Sequence, residues 1–158
     1  MSIEIRRDRP VLPHVLPLLQ RHLNLMHASS PPESVHALDP AALDAPDVAF
    51  FTLCDGQDVL GMGAFKRIDD THAEIKSMHI VAEARGRGLA RVLLDHLVAE
   101  ARRVGYTRLS LETGAEPVFA PARALYEQAG FACCPPFEGY EADPNSVFMT
   151  LNTPSAGA

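Results

Sequence analysis

The feature that most constrains the fold is a change of hydrophobic period near residue 85. His72 to Val81 has the pattern of a β-strand, whereas the apolar residues that follow recur at the spacing of one helical face. These residues are Leu89, Leu93, Leu97, Ala101 and Val104, with Val92 beside them. The turn Arg85-Gly86-Arg87-Gly88 joins the two segments, and Gly105 follows the helix as a C-terminal cap would. A strand that leads through a tight turn into a long amphipathic helix predicts a mixed α/β fold.

Other segments extend this pattern on both sides. Further strands are predicted at Ser2–Arg6, Val48–Cys54, Val59–Ile68, Arg108–Thr113, Phe131–Cys134 and Val147–Leu151. Further helices are predicted from Pro10 to about His27 and from Ala120 to Ala129. The proline-rich stretch Ser29–Pro46 is predicted to be a loop with a short helical turn at Pro40–Leu43. We therefore predict one domain over residues 1–152 and a frayed tail at residues 153–158.

Composition restricts the class of protein. Of 158 residues, 47% are hydrophobic and 22% are charged, which is typical of a globular domain. The formal net charge of −6 argues against nucleic-acid binding, which needs clustered lysine and arginine. The apolar run Val11–Leu19 is broken by Pro13, His14 and Pro17, so it predicts neither a signal peptide nor a membrane span. Three cysteines without a secretory signal indicate free thiols, and we expect a cytoplasmic protein with no membrane association.

The turn at residues 85–90 has the chemistry of an anion-binding site. Gly86 and Gly88 allow backbone N–H groups to converge on an anion, and the helix start adds the positive end of its dipole. Arg85 and Arg87 add positive charge. The turn therefore predicts a pyrophosphate site, although a Gly-x-Gly pair by itself is equally compatible with a simple helix start. The Gly-x-x-x-x-Gly-Lys-Ser/Thr and Gly-x-Gly-x-x-Gly phosphate motifs are both absent.

Two motifs resemble those of one enzyme family. Arg85, Gly88 and Ala90 match the pattern Gln/Arg-x-x-Gly-x-Gly/Ala, and Leu125 to Phe131 resembles a recurrent Leu-Tyr-x-x-x-Gly-Phe. Both are typical of the GNAT superfamily of N-acetyltransferases, and the resemblance covers about Glu74 to Phe131. It implies a mixed, mostly antiparallel twisted sheet flanked by helices, with splayed fourth and fifth strands and acetyl-CoA between them.

The resemblance also assigns residues to the cosubstrate. The backbone of Met78, His79 and Ile80 is expected to pair with pantetheine, and the Met78 N–H to face the thioester oxygen. The pyrophosphate is expected to lie on Arg85, Gly86, Arg87, Gly88, Leu89 and Ala90. No metal is expected, because the seven histidines show no metal-ligand spacing.

Candidate catalytic groups follow from the need to deprotonate an alkyl ammonium with a pKa of about 10. Glu74 lies eleven residues before Arg85, a spacing that resembles the branch of the family with a glutamate base on this strand. Tyr126 resembles the acid that reprotonates the leaving thiolate. Alternative interpretations are a solvent-facing Glu74, a Tyr126 packed in the core, and Glu112 or a water chain as the base.

Three further features are less specific. Phe119 stands where the family often has asparagine, so a polar contact to the pantetheine or adenosine arm is in doubt. The loop Pro31 to His36 is predicted to border the acceptor site, although an exposed loop histidine is the plainer interpretation. Cys133 and Cys134 are predicted to be small core residues at a strand start.

The leading hypothesis is therefore direct acetyl transfer, in a ternary complex, to a primary amine of a small or amino-acid-like molecule. A protein or peptide acceptor is the alternative within the enzyme class. A non-catalytic acetyl-CoA-binding module is the alternative outside it, and a homodimer is an open possibility for the assembly.

Overall fold

The computed structural model describes residues 2–32 and 38–153. Seven strands are present there: β1 (Ile3–Arg7), β2 (Val48–Asp55), β3 (Asp58–Arg67), β4 (His72–Ile80), β5 (Arg108–Gly114), β6 (Ala132–Cys133) and β7 (Ser146–Asn152). The helices are α1 (Leu16–Ser29), α2 (Pro40–Leu43), α3 (Leu89–Arg103) and α4 (Ala120–Gln128). None of the helices in this part of the chain has the length and hydropathy needed to cross a membrane.

The strands form one sheet in the order β1-β2-β3-β4-β5-β7-β6. Each strand pair is antiparallel except β4 and β5, which run parallel because α3 crosses over between them. This is the mixed, mostly antiparallel α/β sheet that the sequence predicted.

Strands β4 and β5 pair over only part of their lengths. His72 to Ile75 pairs with Arg108 to Leu111, and beyond these residues the two strands have no pairing with each other. Strand β5 continues along β7 to Gly114, whereas the rest of β4 keeps β3 as its neighbour. The predicted splay of the fourth and fifth strands is therefore confirmed, and it opens a cleft in the sheet.

Helix α3 covers one face of the sheet. Phe51 on β2 contacts Phe65 on β3 and His96 on α3, with ring centroids 6.0 and 5.2 Å apart. Ile75 on β4 is the cross-strand partner of Phe65, so it points to the same face. Because side chains alternate along a strand, Glu74 points to the opposite face.

Helix α1 lies on that opposite face. His22 on α1 contacts His79 on β4, which pairs across the strands with Met62. The next residue, Gly63, faces α3, because a Cβ added to it would lie 2.9 Å from Leu97 of that helix. Successive side chains along a strand point to opposite faces. Met62 and His79 therefore point away from α3, and α1 and α3 enclose the sheet from its two sides.

Helix α1 begins at Leu16, so the predicted start at Pro10 is wrong. Residues 10–15 form turns, in part because the residue before a proline disfavours helical dihedral angles. Pro17 is tolerated because it lies in the first turn of the helix, where a backbone N–H has no partner to lose.

The buried face of α3 differs slightly from the predicted one. Leu89, Leu93, Leu97 and Ala101 are buried as expected, and Leu94 joins them. Val104 is 53% exposed, because the helix ends at Arg103 and the chain turns away there.

Two predictions near the C-terminal strands are corrected. Thr153 is buried and its N–H donates to the Thr107 carbonyl at 2.7 Å, so the chain is held at least to this residue. Residues 154–158 lie outside the described part. Cys133 is exposed and Cys134 is only partly buried, because β6 is a two-residue strand at the edge of the sheet. They are not core residues.

Candidate active site

A cavity of about 630 Å³ fills the cleft between β4 and β5. Ten of the eleven residues predicted to form the site line it. They are Glu74, Met78, His79, Ile80, Arg85, Gly86, Gly88, Leu89, Ala90 and Tyr126. Arg87, the eleventh, is exposed beside the turn and does not line the cavity. The splay of the sheet thus brings together groups that lie up to about fifty residues apart in the sequence.

The inner edge of β4 faces this cavity. Among the residues that the structure describes, the pairing of β4 with β5 ends at Ile75, and Lys76 to Ile80 all line the cavity wall. Backbone N–H and C=O groups at an open strand edge can pair with an extended ligand. This edge therefore has the form needed to bind a linear amide chain such as pantetheine.

A bulge interrupts β4 inside the cavity. Gly63 on β3 lies opposite both Ser77 and Met78, and Ser77 has a left-handed φ of 59°. The regular pairing on either side is Met62 with His79 and Ala64 with Lys76. An inserted residue bends a strand and turns its backbone groups, and such bulges are common beside active sites.

The bulge also reverses the alternation of side chains along β4. Glu74 and Met78 are four residues apart and would share a face of a regular strand. Instead, the Met78 side chain lies against Gly63 on the α3 face, with 3.2 Å between Met78 Cγ and a Cβ added to Gly63. Glu74 points to the other face. The two predicted site residues therefore reach the cavity from different sides of the sheet.

The glycine turn is open to a ligand. Gly86 and Gly88 have φ values of +82° and +74°, and a Cβ added to either would meet no atom of the described residues within 4 Å. Gly88 is the N-cap of α3, whose first turn carries no acidic residue. The first hydrogen bond of the helix runs from Val92 N–H to Gly88 C=O, which leaves the preceding N–H groups without helical partners.

Arg85 is held beside this turn. Its Nε donates to the Ile80 carbonyl at 3.3 Å, which places the guanidinium between the end of β4 and the start of α3. The positive end of the helix, unpartnered N–H groups and an arginine together fit the pyrophosphate of CoA. With the open β4 edge, the residues present fit both the anionic end and the amide arm of that cosubstrate.

Glu74 is buried, at 5% exposure, and lies within a compact polar network. The Tyr140 hydroxyl donates to Glu74 Oε2 at 2.5 Å, and Lys76 Nζ lies 3.2 Å from the same oxygen. Lys76 Nζ also donates to the Tyr140 hydroxyl oxygen at 2.8 Å. The alternative interpretation of Glu74 as a solvent-facing strand residue is therefore wrong.

Glu112 is the second carboxyl group in the cavity wall. Its pKa is raised to about 7, mainly by burial; the charges of Glu74 and Asp143 act in the same direction, and the Lys76 ammonium opposes them. It pairs across the strands with Phe148, on the same face as Glu74. A carboxyl group with a pKa near neutrality can exchange protons at physiological pH.

Tyr126 projects from α4 into the same cavity. Its ring contacts Phe131 edge to face with 5.8 Å between centroids, and 7% of the residue is exposed. Burial, followed by the charge of Glu112, raises the pKa of Tyr126 to about 12. Tyr126 is thus both a packed residue and a cavity-lining one, and its hydroxyl stays protonated at neutral pH.

Two histidines form a pair in the cavity wall that the sequence did not indicate. His22 Nδ1 and His79 Nδ1 are 3.2 Å apart, so one ring donates and the other accepts. Burial lowers the pKa of His22 to about 3 and that of His79 to about 4. Both rings are neutral at physiological pH, and they connect α1 to β4.

Sequence reasoning also missed Lys76 and Tyr140. Lys76 could have been found, because it lies two residues after Glu74 and so shares its face of the strand. Tyr140 lies in the loop between β6 and β7, and only the folded chain brings it to Glu74. His36 lies outside the described residues, and Phe119 lines the cavity beneath Gly114. The described residues contain no group of three side chains suited to a metal ion.

Residues 16–131 match the acetyltransferase (GNAT) family. The chain is 48% identical over 136 residues to the uncharacterized N-acetyltransferase YsnE of Bacillus subtilis (strain 168), covering 86% of this chain and 90% of YsnE. It is 41% identical over 147 residues to the uncharacterized N-acetyltransferase YedL of Escherichia coli (strain K12), covering 93% of this chain and 92% of YedL. Its fold resembles a GNAT family acetyltransferase from Elizabethkingia anophelis with acetyl-CoA bound, with a TM-score of 0.68, 16% identity and coverage of 95% and 97%.

The family match spans most of the chain, and the glycine turn, the bulged strand and the splayed cleft all lie within it. The chain therefore belongs to the GNAT acetyltransferase family and is an acetyl-CoA-dependent N-acetyltransferase.

Proposed function

We propose that this enzyme acetylates the primary amine of a small or amino-acid-like molecule by direct attack in a ternary complex. One observation carries the proposal: a single cavity is lined by the glycine turn, the open edge of β4 and two carboxyl groups. Such a cavity can hold the cosubstrate and an acceptor side by side, so no covalent enzyme intermediate is needed.

The cosubstrate-binding groups lie on β4 and at the start of α3. We assign the pyrophosphate to residues 85–90 and the pantetheine arm to the backbone of Met78, His79 and Ile80. The Met78 N–H is assigned to the thioester oxygen, where a backbone donor stabilises developing negative charge. Acetyl-CoA supplies the activated acetyl group when bound.

Glu74 is assigned as the group that takes the proton from the acceptor. An alkyl ammonium has a pKa of about 10, so at neutral pH a base must remove its proton before attack. Glu74 Oε2 accepts a hydrogen bond from Tyr140 and forms an ion pair with Lys76, so both contacts are made to the same oxygen. We assign Oε1 to the amine, or to a water molecule that contacts it. Glu112, with its pKa of about 7, is the alternative base.

Tyr126 is assigned as the proton donor to the leaving thiolate. Its hydroxyl is protonated at neutral pH because burial raises its pKa to about 12. A free thiol has a pKa of about 8.5, but burial raises the pKa of a thiol for the same reason that it raises that of a phenol. A raised pKa of the leaving thiol therefore offsets the raised pKa of Tyr126 in this proton transfer.

The test is a screen of amines, amino acids and short peptides with acetyl-CoA, with thiol release as the readout. We expect turnover with one or more small amines and little with the peptides. Turnover confined to peptides would favour a protein acceptor. Acetyl-CoA binding by calorimetry without turnover on any amine would favour a non-catalytic binding module.

A further inference from the structure

Two side chains that have no role in the proposed acetyl transfer, Tyr140 and Lys76, contact Glu74. Its side chain is 6% exposed, and a buried carboxylate is tolerated only when it is paired and hydrogen-bonded. The Tyr140 hydroxyl and the Lys76 ammonium both contact Oε2, at 2.5 and 3.2 Å. Both partners therefore hold the carboxylate through the same oxygen, and Oε1 is the oxygen that the proposed function assigns to the acceptor.

The three groups form a closed triangle. Lys76 Nζ donates to the Tyr140 oxygen at 2.8 Å, and Tyr140 donates its own proton to Glu74. Burial, followed by the charge of Glu74 and their hydrogen bond, raises the pKa of Tyr140. The hydroxyl therefore keeps its proton and acts as a fixed donor to Glu74.

The ring of Tyr140 is held independently of its hydroxyl. The ring contacts Phe137 and Phe148, with centroid distances of 5.2 and 5.5 Å. The backbone N–H of Tyr140 also donates to the Phe137 carbonyl at 3.0 Å. Gly139, with a φ of 78°, forms the turn that directs the ring toward the sheet. Replacing tyrosine with phenylalanine at this position should therefore remove the donor and leave the packing in place.

We propose that Tyr140 and Lys76 are positioning residues for acetyl transfer, which fix Glu74 through Oε2 so that Oε1 faces the acceptor amine. The proposal rests on the assignment of Glu74 as the base. The titratable and charged groups around this carboxyl are Lys76 and His72 on β4, Glu112 on β5 and Tyr140 itself. The loop at residues 134–145 is then part of the catalytic apparatus rather than a plain connection between strands.

The test compares kcat/KM against pH for the unmodified enzyme, Tyr140→Phe and Glu74→Gln. A hydrogen bond to a charged group contributes about a tenfold effect or more. We expect Tyr140→Phe to lower kcat about tenfold near neutral pH, with acetyl-CoA affinity unchanged. Losing a donor favours the protonated form of a carboxyl group, so the acid limb of the profile should move to higher pH.

Tyr106→Phe is the matched control, because this tyrosine packs against Phe65 on the α3 face, away from the cavity. It should leave the profile in place. For Lys76, Lys76→Arg should retain more activity than Lys76→Met. Thermal unfolding of each variant separates a loss of folding from a loss of positioning.

The outcomes separate the two proposals. If Glu74→Gln is inactive but the pH profile of Tyr140→Phe overlays that of the unmodified enzyme, the positioning role of Tyr140 is refuted. The assignment of Glu74 as the base then stays intact. An equal loss of rate at every pH, together with a lower unfolding temperature, would make Tyr140 a purely structural residue. A fully active Glu74→Gln would overturn the base assignment, and the positioning role would fail with it.

Discussion

At the scale of single residues, burial sets the charge state of the ionisable groups in and around the cleft. Glu112 is a carboxyl group that titrates near neutrality because the cleft removes it from water. Tyr126 and Tyr140 are phenols that stay protonated for the same reason. Lys76 lies 3.2 Å from Glu74 and lowers the pKa of Glu112. This wall of the cavity is therefore a small polar cluster whose charge changes within the physiological pH range.

This charge change predicts how activity depends on pH. Glu112 is protonated below its pKa of about 7 and ionised above it, so attraction for a cationic acceptor should increase as the pH rises through 7. In Glu112→Gln we expect the acceptor KM to lose this dependence while acetyl-CoA affinity is retained. KM measured from pH 5.5 to 8.5 checks this. If Glu112→Gln loses nearly all kcat while Glu74→Gln stays active, Glu112 is the base instead of Glu74.

Tyr126 allows a second prediction at this scale. Tyr126→Phe keeps the ring that packs on Phe131 and removes only the proton donor. General acid catalysis contributes about 10²–10⁴-fold, so kcat should fall by that order with acetyl-CoA affinity little changed. Stopped-flow or steady-state rates, with calorimetry for binding, measure both quantities. Full turnover in the variant would leave Tyr126 with a packing role alone.

At the scale of elements, two irregular features produce the site. The bulge at Ser77 changes the course of β4, and the left-handed Gly88 begins α3 with its N–H groups exposed. A regular strand and an ordinary capped helix would have satisfied more backbone groups internally. The irregular positions are thus where the chain leaves backbone groups available to a ligand.

The glycine turn gives a test with an internal control. Gly88→Glu should lower acetyl-CoA affinity by more than tenfold, because a side chain obstructs the backbone and its charge repels the pyrophosphate. Gly56 in the β2–β3 turn has a φ of +60° and, like Gly88, no atom within 4 Å of an added Cβ. Gly56→Glu should therefore lose similar stability, about 1 kcal/mol for the left-handed backbone, without loss of affinity. Equal affinities in the two variants would place the pyrophosphate elsewhere.

At the scale of the whole molecule, the sheet is enclosed by α3 on one face and α1 on the other, and the cavity passes between them. The His22–His79 contact connects α1 to β4 at the cavity wall. Two neutral, buried imidazoles at this contact make the stability of the fold sensitive to acid.

The sign of this effect follows from the lowered pKa values. Unfolded histidine has a pKa of about 6.5, whereas burial lowers that of His22 to about 3 and that of His79 to about 4. Below pH 6.5 the unfolded chain binds protons that the folded chain does not, so the free energy of unfolding falls as the pH falls. The slope reaches about 1.4 kcal/mol per pH unit for each histidine.

We therefore expect His22→Leu to flatten the loss of stability between pH 6.5 and 5. The raised pKa of Glu112 acts in the opposite direction in this range, and it does so in both proteins. Urea denaturation across this range measures the slope. His27→Gln, at the exposed end of α1, is the control and should leave the slope unchanged. A parallel slope in His22→Leu would show that the pair does not govern acid sensitivity.

Much of this architecture followed from the sequence alone. Hydrophobic period and turn residues predicted the strands and three of the four helices to within a few residues, and Gly86 and Gly88 predicted the turn before α3, because these signals are local. The start of α1 was mispredicted because Pro10 is an acceptable first helical residue and only the conformations around Pro13 and Pro17 exclude it. Glu74 was selected by its spacing from Arg85 and Tyr126 by its place in the Leu-Tyr-x-x-x-Gly-Phe motif, and both line the cavity.

Other properties depended on tertiary structure. The Ser77 bulge places Glu74 and Met78 on opposite faces of the sheet, because one inserted residue reverses the alternation of side chains along a strand. The local sequence does not predict such an insertion. Tyr140 reaches Glu74 across 66 residues of sequence, and His22 reaches His79 across 57. The raised pKa of Glu112 arises from burial in a cleft that exists only where β4 and β5 separate. The sequence by itself determined the elements and the cosubstrate motif, whereas folding decided the acceptor side, because contacts between distant segments and the exclusion of water arise only in the packed chain.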